Sequence, residues 1–154
     1  MSTYEATVRW ERCGGDFLAD DYSRGHVWSF DGGVDVPASA SPEIVPLPKS
    51  VAQAVDPEEA FVASLASCHM LFFLSLAARR GIEITAYADT AVGYLSVGAD
   101  GRSFISKVIL RPTASYAAGV SPDRSTLESL HHRAHELCFI ANSVRSDVQT
   151  EIVS

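Results

Sequence analysis

Hydrophobic and polar positions along the chain change period several times, and each change predicts an element. Tyr4, Ala6, Val8 and Trp10 alternate with Thr3, Glu5, Thr7 and Arg9, the pattern of a half-buried strand. Cys13-Gly14-Gly15-Asp16 is turn chemistry and predicts a hairpin. Over residues 22–30 one strand face carries Tyr22, Arg24, His26, Trp28 and Phe30, opposite Ser23, Gly25, Val27 and Ser29. If the aromatic face points inward, Arg24 goes with it, an odd place for an arginine without a partner. Asp31-Gly32-Gly33 turns the chain into a short strand around Val34 and Val36. Residues 37–55 hold four prolines and no clear period, which predicts a long loop.

The period then becomes helical. Asp56 can cap free N–H groups, Pro57 suits the first helical position, and Glu58 and Glu59 oppose the positive end of the helix dipole. The apolar run that follows reaches Ala78 and stops at Arg79-Arg80-Gly81, a usual C-terminal cap. It leaves almost no polar face, so burial on all sides is expected. Residues 82–97 and 103–116 read as two strands joined by Gly98-Ala99-Asp100-Gly101. Ser121-Pro122 opens a second helix with Leu127, Leu130, Ala134 and Leu137 at helical spacing, breaking near residues 138–142. A short helical turn around residues 143–145 and a last strand through Val148, Thr150 and Ile152 complete the pattern. No repeat or linker interrupts it, so residues 1–154 are expected to form one α+β domain.

Composition narrows the function. A net charge of -7 argues against a surface for nucleic acid or acidic lipid headgroups. The apolar run over residues 60–78 approaches the length of a membrane span, yet it contains His69 and three serines, so a core helix is expected and no membrane partner. Three cysteines without a secretory leader predict a reducing compartment, the cytoplasm, where a cysteine is a thiol, a ligand or a catalyst. No nucleotide-binding fingerprint is present, so no bound nicotinamide cofactor is expected.

Cys68 and Cys138 each lie in or beside a predicted helix, and their spacing is no CxxC motif or metal knuckle. The plain reading is two unrelated buried thiols. His131, His135 and Cys138 fall on one helix face and could form a zinc site with Cys68 or His69, although histidines at this spacing more often meet solvent. Glu58 reads equally as a first-turn charge or as a catalytic group. His26 and His69 read as satisfied core histidines, and Cys13 as a bystander in a turn.

Asp56-Pro57-Glu58-Glu59-Ala60-Phe61 through Ser67-Cys68, together with Leu137-Cys138-Phe139-Ile140-Ala141-Asn142-Ser143, resembles the OsmC/Ohr family of thiol peroxidases. The first segment matches that family's helix with a cysteine ten residues after the first glutamate, and the second its later cysteine. The order of strands and helices agrees along nearly the whole chain. Asp56 where asparagine is common, Phe139 where proline is common and His69 where an aromatic is common mark a divergent branch.

The resemblance implies an OsmC-like fold, with antiparallel sheets packed on a long central apolar helix in an intertwined homodimer. It also implies a stress-response peroxidase that reduces organic hydroperoxides, with Cys68 as peroxidatic thiol, Cys138 as resolving thiol and Glu58 as the family glutamate. Arg24 is the arginine chosen to lie by the thiol. The reductant would be an external dithiol, with no bound cofactor and no metal. Chemistry agrees with these roles: a guanidinium lowers a thiol pKa, a carboxylate can orient that guanidinium, and a second thiol captures the sulfenic acid. Ten helical residues span roughly 15 Å and turn the two side chains about 80° apart, so Glu58 cannot touch Cys68 of its own helix. Both serve one site only if a partner subunit brings them together or Arg24 mediates. The alternatives are a non-catalytic protein of the same fold, binding a small apolar ligand or zinc, and a redox-sensing partner of another protein.

Overall fold

The computed structural model describes residues 1–153, and the chain divides into two compact units, Met1–Ala60 and Phe61–Ser154. The first unit is a three-stranded antiparallel sheet of β1 (Ala6–Arg9), β2 (His26–Phe30) and β3 (Asp35–Ala38), with β2 in the middle. The long strand expected over residues 22–30 therefore begins only at His26. Upstream, the Arg24 N–H donates to the Lys49 carbonyl at 2.7 Å, which takes that backbone away from the sheet. Tyr22 stacks on Phe17 and meets Trp10 edge-on instead of joining a strand face. Gly15 has φ +75°, and a Cβ there would lie 1.9 Å from the Asp21 carbonyl oxygen, so only glycine fits this turn. β1, expected to be half-buried, is exposed along its length in this chain.

Helix α1 (Pro57–Arg79) starts and stops as its sequence predicts. Asp56 Oδ1 accepts the Glu59 N–H at 2.8 Å and Glu59 Oε2 accepts the Asp56 N–H at 3.2 Å, a reciprocal capping box. At the other end Gly81 takes φ +70°, with the Ile82 N–H bonded to the Ala77 carbonyl and the Gly81 N–H to that of Ala78, a Schellman cap. Burial differs from expectation. Only Leu65, His69, Phe73 and Ala77, each four residues on from the last, are fully buried, and Leu71 is 60% exposed. The helix thus buries one stripe, not every side.

Two apolar clusters take up that stripe. Phe73 and Ala77 pack with Leu127, Leu130 and Ala134 of helix α2 (Arg124–Leu137). Leu65 packs with Val108 and Leu110 of β6 (Ser103–Leu110). The two long strands expected after Gly81 each break once, giving β4 (Ile84–Asp89), β5 (Val92–Val97), β6 and β7 (Pro112–Tyr116). The breaks have a chemical cause: Asp89 Oδ1 takes the Arg111 N–H at 2.7 Å, and Pro112 has no N–H to offer a ladder. The halves then pair separately, β4 with β7 and β5 with β6, both antiparallel. β8 (Asp147–Thr150) joins β6 in parallel, a pairing that needs a crossover, and α2 lies within that connection. α2 is capped by Asp123, whose side chain accepts the Thr126 N–H, and its first helical residue, Arg124, lies three residues on from the predicted start near Ser121.

Where the buried stripe meets α2, the contact is polar. His69 Nε2 lies 2.9 Å from His131 Nδ1, and the two residues are 1% and 4% exposed. Phe73 stacks on the His131 ring with centroids 4.1 Å apart. Burial pushes both imidazoles down to about 4, with repulsion from His135 adding to the fall at His69 and from His69 at His131. Both rings are therefore neutral at pH 7 and deeply packed.

Two outcomes follow from this packing. Gly93 of β5 faces α1 so closely that a Cβ would lie 2.6 Å from Val62 Cγ2. Gly93→Ala should lower the unfolding free energy by about 1–3 kcal/mol, and adding Val62→Ala should recover part of that in a double-mutant cycle measured by urea denaturation. The histidine pair makes stability depend on pH. An imidazole held at about 4 in the fold but near 6.5 when unfolded binds more protons in the unfolded chain between those values. Stability is then full above pH 6.5 and falls as pH drops toward 4, by on the order of 3 kcal/mol for each imidazole. His131→Asn should reduce the slope of the urea midpoint between pH 6.5 and 5 by about half, since buried His69 keeps its share and ordinary carboxylates stay ionised there; equal slopes for both proteins would contradict the assignment.

Candidate active site

Cys68 precedes buried His69 by one residue, so its side chain emerges at the edge of the α1 stripe, and it is half-buried. Cys138 closes α2. Its N–H donates to the Ala134 and His135 carbonyls at 3.0 and 3.3 Å, and its backbone then turns to an extended conformation. A 3₁₀ turn, Ala141–Ser143, folds back over it, so that the Ala141 N–H donates to Cys138 Sγ at 3.4 Å and the Asn142 N–H to the Cys138 carbonyl at 3.0 Å. The buried Cys138 thiol is thus fixed from both sides along the chain.

The second unit brings these two cysteines together across seventy positions of sequence, and both are free thiols. Burial pushes the Cys138 thiol up to about 11; the neighbouring Cys68 thiol pushes the same way, while the Ala141 and Ile140 N–H groups pull against it. At pH 7 the Cys138 sulfur is therefore protonated. Aromatic rings border the pair: Phe72, one turn after Cys68, meets Phe139, next to Cys138, edge-on at 5.1 Å. Phe139 is 68% exposed. Such a site offers a fixed protonated thiol beside a second thiol, with apolar surface at its rim.

The other residues singled out in the sequence lie as follows. Arg24, in the first unit, bonds Asp20 Oδ1 at 2.6 Å and the Tyr22 carbonyl at 2.7 Å, with its guanidinium 3.6 Å above the Tyr22 ring. The partner that its half-buried position calls for is Asp20, an exposed carboxylate that Lys49 also approaches. Glu58 Oε2 is buried without a hydrogen-bond partner, since Glu59 and not Glu58 completes the capping box. His26 donates from Nδ1 to the Arg24 carbonyl and accepts the Trp28 indole N–H on Nε2, so it is satisfied within its strand. Cys13 is exposed in its turn. Among the described residues no group of three or more His, Cys, Asp or Glu is arranged to hold a metal ion, and His131 of the zinc option is engaged by His69.

The His69–His131 contact went unread in the sequence, although a signal for it existed. His69 stands four residues after Leu65 and four before Phe73, in the stripe that the structure buries. A polar residue in that stripe demands a buried partner, and His131 is the residue of the Leu127, Leu130, Ala134 face able to supply one.

By length and composition α1 could cross a membrane, and it is the one such helix among the described residues; here its stripe is packed into the second unit. The sequence model for the family described as OsmC-like protein matches residues 50–153. Among solved structures, an OsmC-like protein of unknown function from Vibrio cholerae is 50% identical, covers 99% of this chain and 100% of its own, and superposes with a TM-score of 0.97. The organic hydroperoxide resistance protein OhrB of Bacillus subtilis is 25% identical over 98% of each chain, with a TM-score of 0.67. An OsmC-like protein from Mycoplasma pneumoniae, 14% identical, covers 99% of this chain and 96% of its own at a TM-score of 0.74, a likeness of fold alone. The comparison with curated proteins gives no match. With its mixed helices and sheets and a match over most of its length, this chain belongs to the OsmC-like protein family.

Proposed function

We propose that the protein is a cytoplasmic, cysteine-based peroxidase that reduces organic hydroperoxides. The observation that carries this reading is the meeting of Cys68 and Cys138 as free thiols in one unit. The similarity to the Bacillus subtilis organic hydroperoxide resistance protein supports it. In the first step the Cys68 thiolate attacks the outer peroxide oxygen. The O–O bond breaks, Cys68 becomes a sulfenic acid, and the alkoxide leaves and takes a proton to become the alcohol. Cys138, raised to about 11, is a poor first nucleophile at neutral pH, because roughly one molecule in ten thousand carries it as thiolate.

Once Cys68 is oxidised, the smaller push of its thiol on the Cys138 pKa is removed, while burial, the main cause, remains. The Cys138 sulfur then attacks the Cys68 sulfur, the S–S bond forms, the S–O bond breaks, and hydroxide leaves with the thiol proton as water. An external dithiol restores both thiols by exchange and leaves as its own disulfide. Arg24 is assigned the cation that favours the Cys68 thiolate, and Glu58 the carboxylate that orients a guanidinium. The active species is taken to be a homodimer. Exposed Leu71 and Phe139 support both a partner surface and an apolar substrate, so alkyl and aryl hydroperoxides should outrun hydrogen peroxide.

With cumene hydroperoxide and dithiothreitol, wild type should turn over and Cys68→Ser should not. Cys138→Ser should react once and hold a sulfenic acid that dimedone traps. Arg24→Met and Glu58→Gln should slow the first step by roughly tenfold or more, the scale of a lost electrostatic contact. Turnover that survives Cys68→Ser, or none in the wild type, would return the chain to a binding protein of the same fold.

A further inference from the structure

The two helices that carry the thiols meet a second time beside them. His69 follows Cys68 on α1, and His131 stands seven residues before Cys138, which closes α2. Their rings are parallel within 3°, with Nε2 and Nδ1 2.9 Å apart, and Phe73 stacks on His131. The reaction proposed above uses neither imidazole. Nor is the pair the cheapest way to join two helices, since burying polar rings costs free energy that an apolar contact would not.

Hydrogen bonding fixes the roles of the ring atoms. His69 Nδ1 is buried with no partner. An orphaned acceptor is tolerated better than an orphaned N–H, so His69 carries its proton on Nε2 and donates to His131 Nδ1. His131 then holds its own proton on Nε2, and it borders a cavity of about 290 Å³ shared with His132, His135 and Thr150. The result is one directional bond between α1 and α2, oriented by Phe73.

Direction is what a disulfide needs. Two cysteines close without strain only within a narrow window of Cα and Cβ separations, so a slip or turn of one helix on the other by about 1 Å changes the outcome. Apolar contacts resist separation but tolerate sliding, whereas a buried hydrogen bond of fixed length and angle opposes both. We propose that the His69–His131 hydrogen bond is a positioning contact for the thiol pair, setting the rotation and rise of α1 against α2 and so the ease with which Cys68 and Cys138 close into a disulfide. This rests on the reading of the two cysteines as a redox pair.

The test measures the disulfide equilibrium of the full chain in a Cys13→Ser background, in glutathione buffers at pH 7.5. The protein dithiol and one glutathione disulfide exchange to the protein disulfide and two glutathione thiols, and alkylation with mass spectrometry reads the ratio. His131→Leu should lower the equilibrium constant roughly tenfold, the scale of one lost buried hydrogen bond. His131→Asn, with an amide near the position of Nδ1, should stay within about twofold of the parent. If His131→Leu fails to fold, His69→Leu against His69→Gln makes the same comparison from α1. A folded leucine variant with the parent's equilibrium constant, or an amide variant as impaired as the leucine one, overturns the proposal. Failure of the parent to form the Cys68–Cys138 disulfide in oxidised glutathione overturns it as well. Hydroperoxide turnover is not part of the readout, so loss of the peroxidase reading alone leaves this comparison standing.

Discussion

The rotation of α1 about its own axis governs what the second unit can do. Leu65, His69, Phe73 and Ala77 repeat every four residues and are buried together, so the helix can present only one set of side chains to its neighbours. Cys68 is one residue from that stripe, which puts its thiol at the margin between core and surface. A helix turned by one position would bury Cys68 where His69 now lies and expose Phe72 or Leu74 differently. Gly93 sharpens the constraint, because the missing Cβ lets the backbone of β5 approach Val62 on the same helix. The position of the Cys68 thiol is therefore a consequence of core packing.

The second thiol is placed by a different means. Cys138 ends α2, and the chain folds back over it into a 3₁₀ turn, so that the N–H groups of Ile140 and Ala141 point at the sulfur. Those N–H groups favour a thiolate while burial disfavours it, and burial wins, because a buried anion loses its hydration and gains only weak N–H to sulfur contacts. The two thiols are thus unequal for a structural reason. One lies at the edge of a stripe and the other is enclosed, an inequality suited to a pair that acts in sequence.

Much of this was legible in the sequence. Asp56-Pro57-Glu58-Glu59 and Arg79-Arg80-Gly81 marked both ends of α1, because caps are local chemistry that the fold has no reason to override. The two cysteine segments pointed to the family. What local pattern could not show was which face of an all-apolar helix is buried, since composition is silent where every side is apolar. Nor could it show that the strand runs after Gly81 break at Thr90–Ala91 and at Arg111, because the break depends on Asp89 reaching an N–H twenty-two residues away. Arg24 announced that it needed a partner; that the partner is Asp20, four residues back, follows from the chain leaving the sheet before His26. The His69–His131 bond escaped for the same reason as the stripe, as it requires two helices to be docked before either histidine has a neighbour.

Whether Cys68 and Cys138 are one redox pair is decided by peptide mapping after a single equivalent of cumene hydroperoxide. One linked peptide joining Cys68 to Cys138, lighter by two hydrogens, is expected, with Cys13 still free to alkylate. A Cys68 that ends as sulfinic or sulfonic acid while Cys138 stays a thiol would contradict the pairing.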